Sequence, residues 1–179
     1  MIPSSPTFIK FVEPQTPMPK KKMLVVLGMG GHTSQILHLI EALGDAYEYK
    51  YILGHDDHTS AVKIKHEGKI LTMRNPRLMT DRRLLKVVFN MVPATFQAFS
   101  ILRKTKPDAI LSAGPALAIP LFWLAKARGI RTIFIESWVR VHHKSLTGKL
   151  VYPVSDLFFV QWKSMKNIYP KAVYAGRLS

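Results

Sequence analysis

Cysteine is absent from the 179-residue chain. That excludes a disulfide framework, a thiol nucleophile and a thiolate metal site, and it leaves the compartment open, a reducing one being compatible. Acidic residues are scarce, 11 against 26 lysines and arginines, for a formal net charge of +15; beyond Asp108 only Glu136 and Asp156 carry carboxylates. So basic a surface favours anionic partners: lipid headgroups, nucleic acid or phosphorylated substrates. No uninterrupted apolar run reaches the ~20 residues that span a bilayer. Residues 1–22 are proline-rich, end in a basic run, and contain only a short apolar piece around Phe8–Val12, too little for a signal peptide. They read as a poorly ordered arm, followed by one domain over residues 23–179. With 47% apolar residues, that domain can bury a single core of ordinary size.

What is present begins with residues 23–37, MLVVLGMGGHTSQIL. An apolar strand, a glycine turn and an amphipathic helix starting near Thr33 aim backbone N–H groups and the positive end of a helix dipole at one point, which suits phosphate or pyrophosphate. Gly28, Gly30 and Gly31 permit close backbone approach, and His32 stands where the anion would sit. The turn lacks the Lys-Ser/Thr of a Walker A loop. Thr33 occupies the third glycine position of a dinucleotide fingerprint, which disfavours an ordinary NAD site.

Short apolar runs alternate with helical patterns, as in βα units of a parallel sheet. The expected strands are Leu24–Leu27, Tyr49–Leu53, Lys69–Thr72, Ala109–Ser112, Thr132–Ile135, Leu157–Val160 and Ala172–Tyr174. Continuous runs such as LVVL and TIFI suit strands covered on both faces, hence a doubly wound, mostly parallel α/β sheet. Gly44 is the expected end of the first helix. Ligands of such sheets gather at the carboxyl ends of the strands. There lie Gly28–Thr33, Gly54–His58, Met73–Asp81, Ser112–Pro115 and Glu136–Lys144.

Residues 82–104 predict an unusual helix. Lys86, Asn90, Pro93, Gln97, Ser100 and Lys104 form one narrow polar stripe, and nearly everything else is apolar. Packing on a sheet uses an apolar arc of about 100° or a little more, so another apolar phase should receive the excess. Arg82, Arg83, Lys86, Arg103 and Lys104 flank it, and Phe89, Val92, Phe96 and Phe99 would enter an anionic membrane surface. The alternative is a fully buried helix. A second apolar helix, ALAIPLFWLAKARG, reads as core closed by Gly129.

Other segments are weaker. In His55-Asp56-Asp57-His58 the simpler expectation is a helix cap, because the local spacing completes no metal coordination set. Arg74 and Arg77 could hold phosphate bidentately or stay solvated. His142-His143-Lys144 reads as a basic surface loop. Ser112-Ala113-Gly114-Pro115 ends a strand without a bulky side chain, leaving space for a ligand or simply making a tight turn. Glu136, followed by Ser137, Trp138 and Arg140, could orient an imidazole, accept from a sugar hydroxyl or act as a base; the alternative is a structural ion pair with Arg140 or Arg131.

The segments GMGGHTSQIL, KPDAILSAGP, IESWVRV, SLTGKLVYPVSDLFFVQW and YPKAVYAGR, in this order over residues 23–178, closely resemble a known family. It comprises the acceptor-binding, membrane-associated subunits of bipartite UDP-N-acetylglucosamine transferases, which add the second sugar of the dolichol-linked oligosaccharide, and their bacterial exopolysaccharide and capsule counterparts. The resemblance implies the N-terminal half of a GT-B glycosyltransferase, similar to that of the lipid II synthase MurG. It implies a separate small subunit carrying the nucleotide-sugar site, no tightly held cofactor, and a UDP-sugar supplied through that partner. A polyprenyl-pyrophosphate-linked sugar would be the acceptor, on the cytoplasmic face of the plasma membrane in a prokaryote or of the endoplasmic reticulum in a eukaryote, with no nucleic acid bound.

Carried over by matching position, Gly28, Gly30, Gly31, His32 and Thr33 become the pyrophosphate and catalytic loop, with Arg74, Arg77, Gly114, Ser137 and Arg140 as further acceptor contacts. His32 and Glu136 become the catalytic pair, with the base left open between them. Ala175–Ser179 would contact the partner. Eukaryotic members usually carry an N-terminal membrane anchor that this arm lacks, which suggests a prokaryotic member or another mode of attachment. Met29 replaces the small serine usual in the turn and narrows it. A reading of a different class is a basic Rossmann-like nucleic-acid-binding module, although no nucleic-acid motif is recognisable.

Overall fold

The computed structural model describes residues 19–75 and 84–178, with residues 84–90 described by their backbone. Seven strands form one sheet: β1 (Lys21–Val26), β2 (Tyr47–Gly54), β3 (Gly68–Met73), β4 (Ala109–Ser112), β5 (Arg131–Ile135), β6 (Leu157–Val160) and β7 (Val173–Tyr174). Their order is β3-β2-β1-β4-β5-β6-β7, and every neighbouring pair is parallel. The helices are α1 (Gly31–Leu43), α2 (His58–Ala61), α3 (Leu84–Thr105), α4 (Ala118–Lys126) and α5 (Leu146–Val151). This is the doubly wound α/β fold that the alternating apolar runs predict.

Strand pairing sets where the domain starts. Lys21 and Lys22, assigned to the arm on sequence, lie in β1 opposite Tyr47 and Glu48, and the Lys22 N–H donates to Asp108 at 2.7 Å. The ladder therefore begins two residues before Met23. Their charged side chains mask the strand in the sequence pattern, while their backbones pair normally.

Successive residues of β1 face opposite layers, as strand geometry requires. Leu24 and Val26 join Ala94, Ala98, Phe122 and Phe134 on the side covered by α3, α4 and α5. Met23, Val25 and Leu27 join Ile36 and Ile40 of α1 on the other. Covering both faces leaves no polar alternation for the central strands to show. α1 starts at Gly31, two residues earlier than expected, and ends at Gly44 (φ 54°) as predicted.

Helix α3 meets the core through small residues: Ala94 and Ala98 are fully buried, with Leu102. Three of its large residues point away, with Val92, Phe96 and Phe99 exposed by 48%, 74% and 41%. The Arg128 guanidinium lies 4.2 Å from the centre of the Phe99 ring. Arg82 and Arg83 lie outside the described residues, and of Phe89 only the backbone is described. α4 is mostly buried, as expected, but Trp123 is not: it is 52% exposed, its indole N–H donating to the Leu150 carbonyl at 3.2 Å. Among the described residues no helix is long and apolar enough to cross a membrane.

Candidate functional site

The strand order runs 3-2-1 and then turns back to 4-5-6-7, so the loops after β1 and β4 separate at the topological switch point, where sheets of this kind open a crevice. After β1 the chain makes the Gly28–Gly31 turn, with Gly30 at φ 86° and ψ −144°, and enters α1. Gly28 packs so closely on Pro115 that an added Cβ would stand 2.6 Å from the proline Cβ. Thr33 is fully buried. Its hydroxyl donates to the Gly28 carbonyl and lies 3.1 Å from the Ser60 hydroxyl. Thr33 thus ties the turn together, and its side chain is not offered to a ligand. Met29, expected to narrow the turn, points outward and is exposed.

His32 is half-buried and lies over Gly114 (φ 116°). A Cβ on residue 114 would stand 3.0 Å from both Nδ1 and Cε1 of the ring. Only glycine combines that backbone with that space. No hydrogen bond of standard geometry reaches the buried Nδ1, although the Ala113 backbone is near enough to favour a proton on the ring. Burial dominates and pushes the imidazole below its ordinary value; the Arg140 charge works with it, and the Glu136 carboxylate opposes it. The ring is therefore neutral at neutral pH.

Glu136, at the end of β5, is 1% exposed. One carboxylate oxygen accepts the Ser137 N–H at 3.0 Å. The other accepts the Ser145 N–H (3.3 Å), the Ser145 hydroxyl (3.0 Å) and the Tyr169 hydroxyl (3.1 Å). Neither Arg140 nor Arg131 forms the ion pair weighed on sequence. Backbone and hydroxyl donors replace it, because the carboxylate turns inward while Arg140 stays exposed. Ser145 also caps α5 by accepting the Gly148 N–H at 2.9 Å. The Tyr169 phenol, buried and beside this carboxylate, is held well above its usual range. Glu136 thus fixes the loop over residues 137–145 and the start of α5.

The other expected contacts are dispersed. Ser137 is buried under Glu136. Arg74 is exposed after β3, two strands from β1, where its N–H donates to Gln97 of α3 at 2.9 Å; Arg77 lies outside the described residues. Asp57 caps α2 by accepting the Ser60 N–H at 3.0 Å, the cap expected for that segment. No cluster of three metal-ligating side chains occurs among the described residues. His142, His143 and Lys144 are exposed.

Four residues that the sequence pattern does not single out complete the site: Tyr169 and Ser145, which donate to the Glu136 carboxylate, and Gln161, whose amide donates to the Glu136 carbonyl and to Gln35. A serine three residues before Gly148 is a helix-start signal that could have revealed Ser145. For Tyr169 and Gln161 no local signal exists.

Residues 23–178 match the family model described as oligosaccharide biosynthesis protein Alg14 like. The UDP-N-acetylglucosamine transferase subunit ALG14 of Rattus norvegicus is 34% identical over 187 residues, covering 92% of this chain and 86% of its own length. The subunit of the same name from Schizosaccharomyces pombe is 33% identical over 174 residues, covering 88% and 83%. Among solved structures, MurG from Acinetobacter baumannii superposes with a TM-score of 0.64 at 19% identity, over 82% of this chain and 43% of MurG. UDP-N-acetylglucosamine 2-epimerase from Rickettsia bellii does so with a TM-score of 0.64 at 15% identity, over 89% and 45%. The chain spans less than half the length of either solved protein, and the shared feature is the fold, a Rossmann-like half of the GT-B architecture. With a match running from Met23 to Leu178 and relatives above 30% identity over more than four-fifths of their length, the protein belongs to the Alg14-like oligosaccharide biosynthesis family.

Proposed function

We propose that this chain is the acceptor-lipid-binding and membrane-recruiting subunit of a heteromeric, inverting UDP-N-acetylglucosamine transferase. The acceptor is a polyprenyl- or dolichyl-pyrophosphate-linked sugar, and the nucleotide-sugar site lies mainly on a separate subunit. The observation that carries this reading is one of span: the chain matches 86% of the length of a relative named as a UDP-N-acetylglucosamine transferase subunit, yet superposes on only 43% of MurG. The Gly28–Gly31 turn and the N-terminus of α1 receive the pyrophosphate. Arg140 adds charge beside it.

Inversion requires a base near the acceptor hydroxyl. His32 takes that role: with a proton on the buried Nδ1, the neutral ring presents Nε2 as acceptor. Glu136, whose oxygens carry four donors, is a positioning residue and supports His32 electrostatically. The exposed residues of α3, together with the exposed Trp123 of α4 and Leu150 of α5, rest on an anionic bilayer at its cytoplasmic face.

The test is transfer from UDP-N-acetylglucosamine to a polyprenyl-pyrophosphate sugar by the purified chain, with and without the partner subunit. Activity only in the presence of both is expected. Full activity of the chain alone would overturn the split site, and tight salt-sensitive binding to DNA or RNA without binding to anionic liposomes would favour the nucleic-acid reading.

A further inference from the structure

Gln161, immediately after β6, is 3% exposed and uses its whole amide. Its Nε2 donates to Gln35 Oε1 of α1 (3.0 Å) and to the Glu136 carbonyl (3.0 Å), while its Oε1 accepts the Leu178 N–H at 2.9 Å. Trp162 repeats the pattern. Its indole N–H donates to the Trp138 carbonyl at 2.6 Å, and the Arg177 guanidinium lies 5.0 Å from its ring centre. Two consecutive residues therefore hold the segment 177–178 on one side and the segment 136–138 on the other. Gln35 lies one turn beyond His32 on the same face of α1, and Leu178 packs against the cluster on the α1 side of the sheet.

We infer that Gln161 is a positioning residue that couples the docking of the 177–178 segment to the His32–Glu136 site. An amide is the side chain that can donate twice and accept once here; a carboxylate lacks the donors and an aliphatic chain lacks both. When the Leu178 N–H leaves, Oε1 loses its donor in a buried setting, and the amide must reorient to recover one. That reorientation releases Gln35 and the Glu136 carbonyl together. A partner that lifts the segment would thereby alter the acceptor site without touching it. The consequence for transfer rests on the function proposed above; the coupling itself does not.

The experiment follows the His32 ring by NMR through a pH titration of the full chain, its signal assigned by its loss in His32→Gln. Leu178→Pro removes the N–H, whereas Leu178→Ala keeps it and removes the packing. A displaced His32 midpoint in Leu178→Pro and Gln161→Leu, with an undisplaced one in Leu178→Ala, is the expected result. Equal midpoints in the wild type and both Leu178 variants, or equal displacement in the two, would overturn the coupling. If Gln161→Leu does not fold by circular dichroism, the Leu178 pair decides alone. With saturating partner, Gln161→Leu should lower kcat on the order of tenfold or more, the scale on which small misplacements act. Coupling without any transfer by the wild type would sink the proposed function and leave this inference standing; transfer without coupling would do the reverse.

Discussion

The His32 ring fills the space that a side chain at Gly114 would occupy, 3.0 Å from the position of the missing Cβ. Gly114→Ala therefore meets two penalties, a strained φ of 116° and a collision with the imidazole. Thermal or denaturant unfolding should register a loss of about 1–3 kcal/mol. Transfer should fall with it, because the ring is pushed from the switch point. Unchanged stability and rate would contradict the packing described.

His32→Gln removes the titrating nitrogen while keeping a polar side chain of similar reach. Transfer measured with saturating partner should drop by roughly 10²–10⁴, the ordinary contribution of a general base. The melting temperature should move little, since the ring is only half-buried and its Nδ1 makes no hydrogen bond of standard geometry.

The lowered His32 pKa gives a definite pH dependence. Because the folded ring holds its proton less tightly than the unfolded one, the unfolded chain protonates first on acidification. This contribution to stability is constant above about pH 6.5, falls as the pH drops towards the lowered folded value, and levels off below it. Transfer should stay flat through neutrality and decline on the acid side below about pH 6.5. A rate profile whose acid limb lies above that value would exclude the neutral, buried ring.

Glu136→Gln places an amide N–H₂ among four donors. At least one backbone N–H among them loses its acceptor, Ser137 or Ser145 according to which way the amide turns, and unfolding should become easier by about 1–3 kcal/mol. Tyr169→Phe removes one donor and should cost about 1 kcal/mol. A Glu136 variant that keeps wild-type stability but abolishes transfer would reassign the base to the carboxylate.

Val92→Ser, Phe96→Ser and Phe99→Ser alter side chains that already face solvent. Val92→Ser and Phe96→Ser should each change folding stability by no more than about 0.5 kcal/mol, and Phe99→Ser by about 1 kcal/mol because the Arg128 guanidinium stacks on its ring, whereas the triple variant should lose sedimentation with anionic liposomes. Global unfolding of the triple variant would indicate that this face is core after all.

Much of this architecture is legible in the chain. Ala109–Ser112 and Leu157–Val160 have the limits expected of them, and β1 differs because lysine side chains hide a paired backbone. The His32 turn could be read because its glycines, strand and helix are contiguous. The Glu136 network could not, since Tyr169 and Gln161 reach it across 33 and 25 residues, and no periodicity records which distant side chains meet. The exposure of Trp123 leaves no mark in the sequence, because α4 is apolar on every face and nothing in its pattern separates the covered side from the open one.

Alanines at the seam of α3 have one more effect. Since Ala94 and Ala98 make the close contacts with the interior, the most outward side chains, Val92 and Phe96, can be exchanged for other residues without disturbing the core beneath them. If this face rests on a bilayer as proposed, adjustment to lipids of differing composition can proceed by surface substitution alone, uncoupled from foldability.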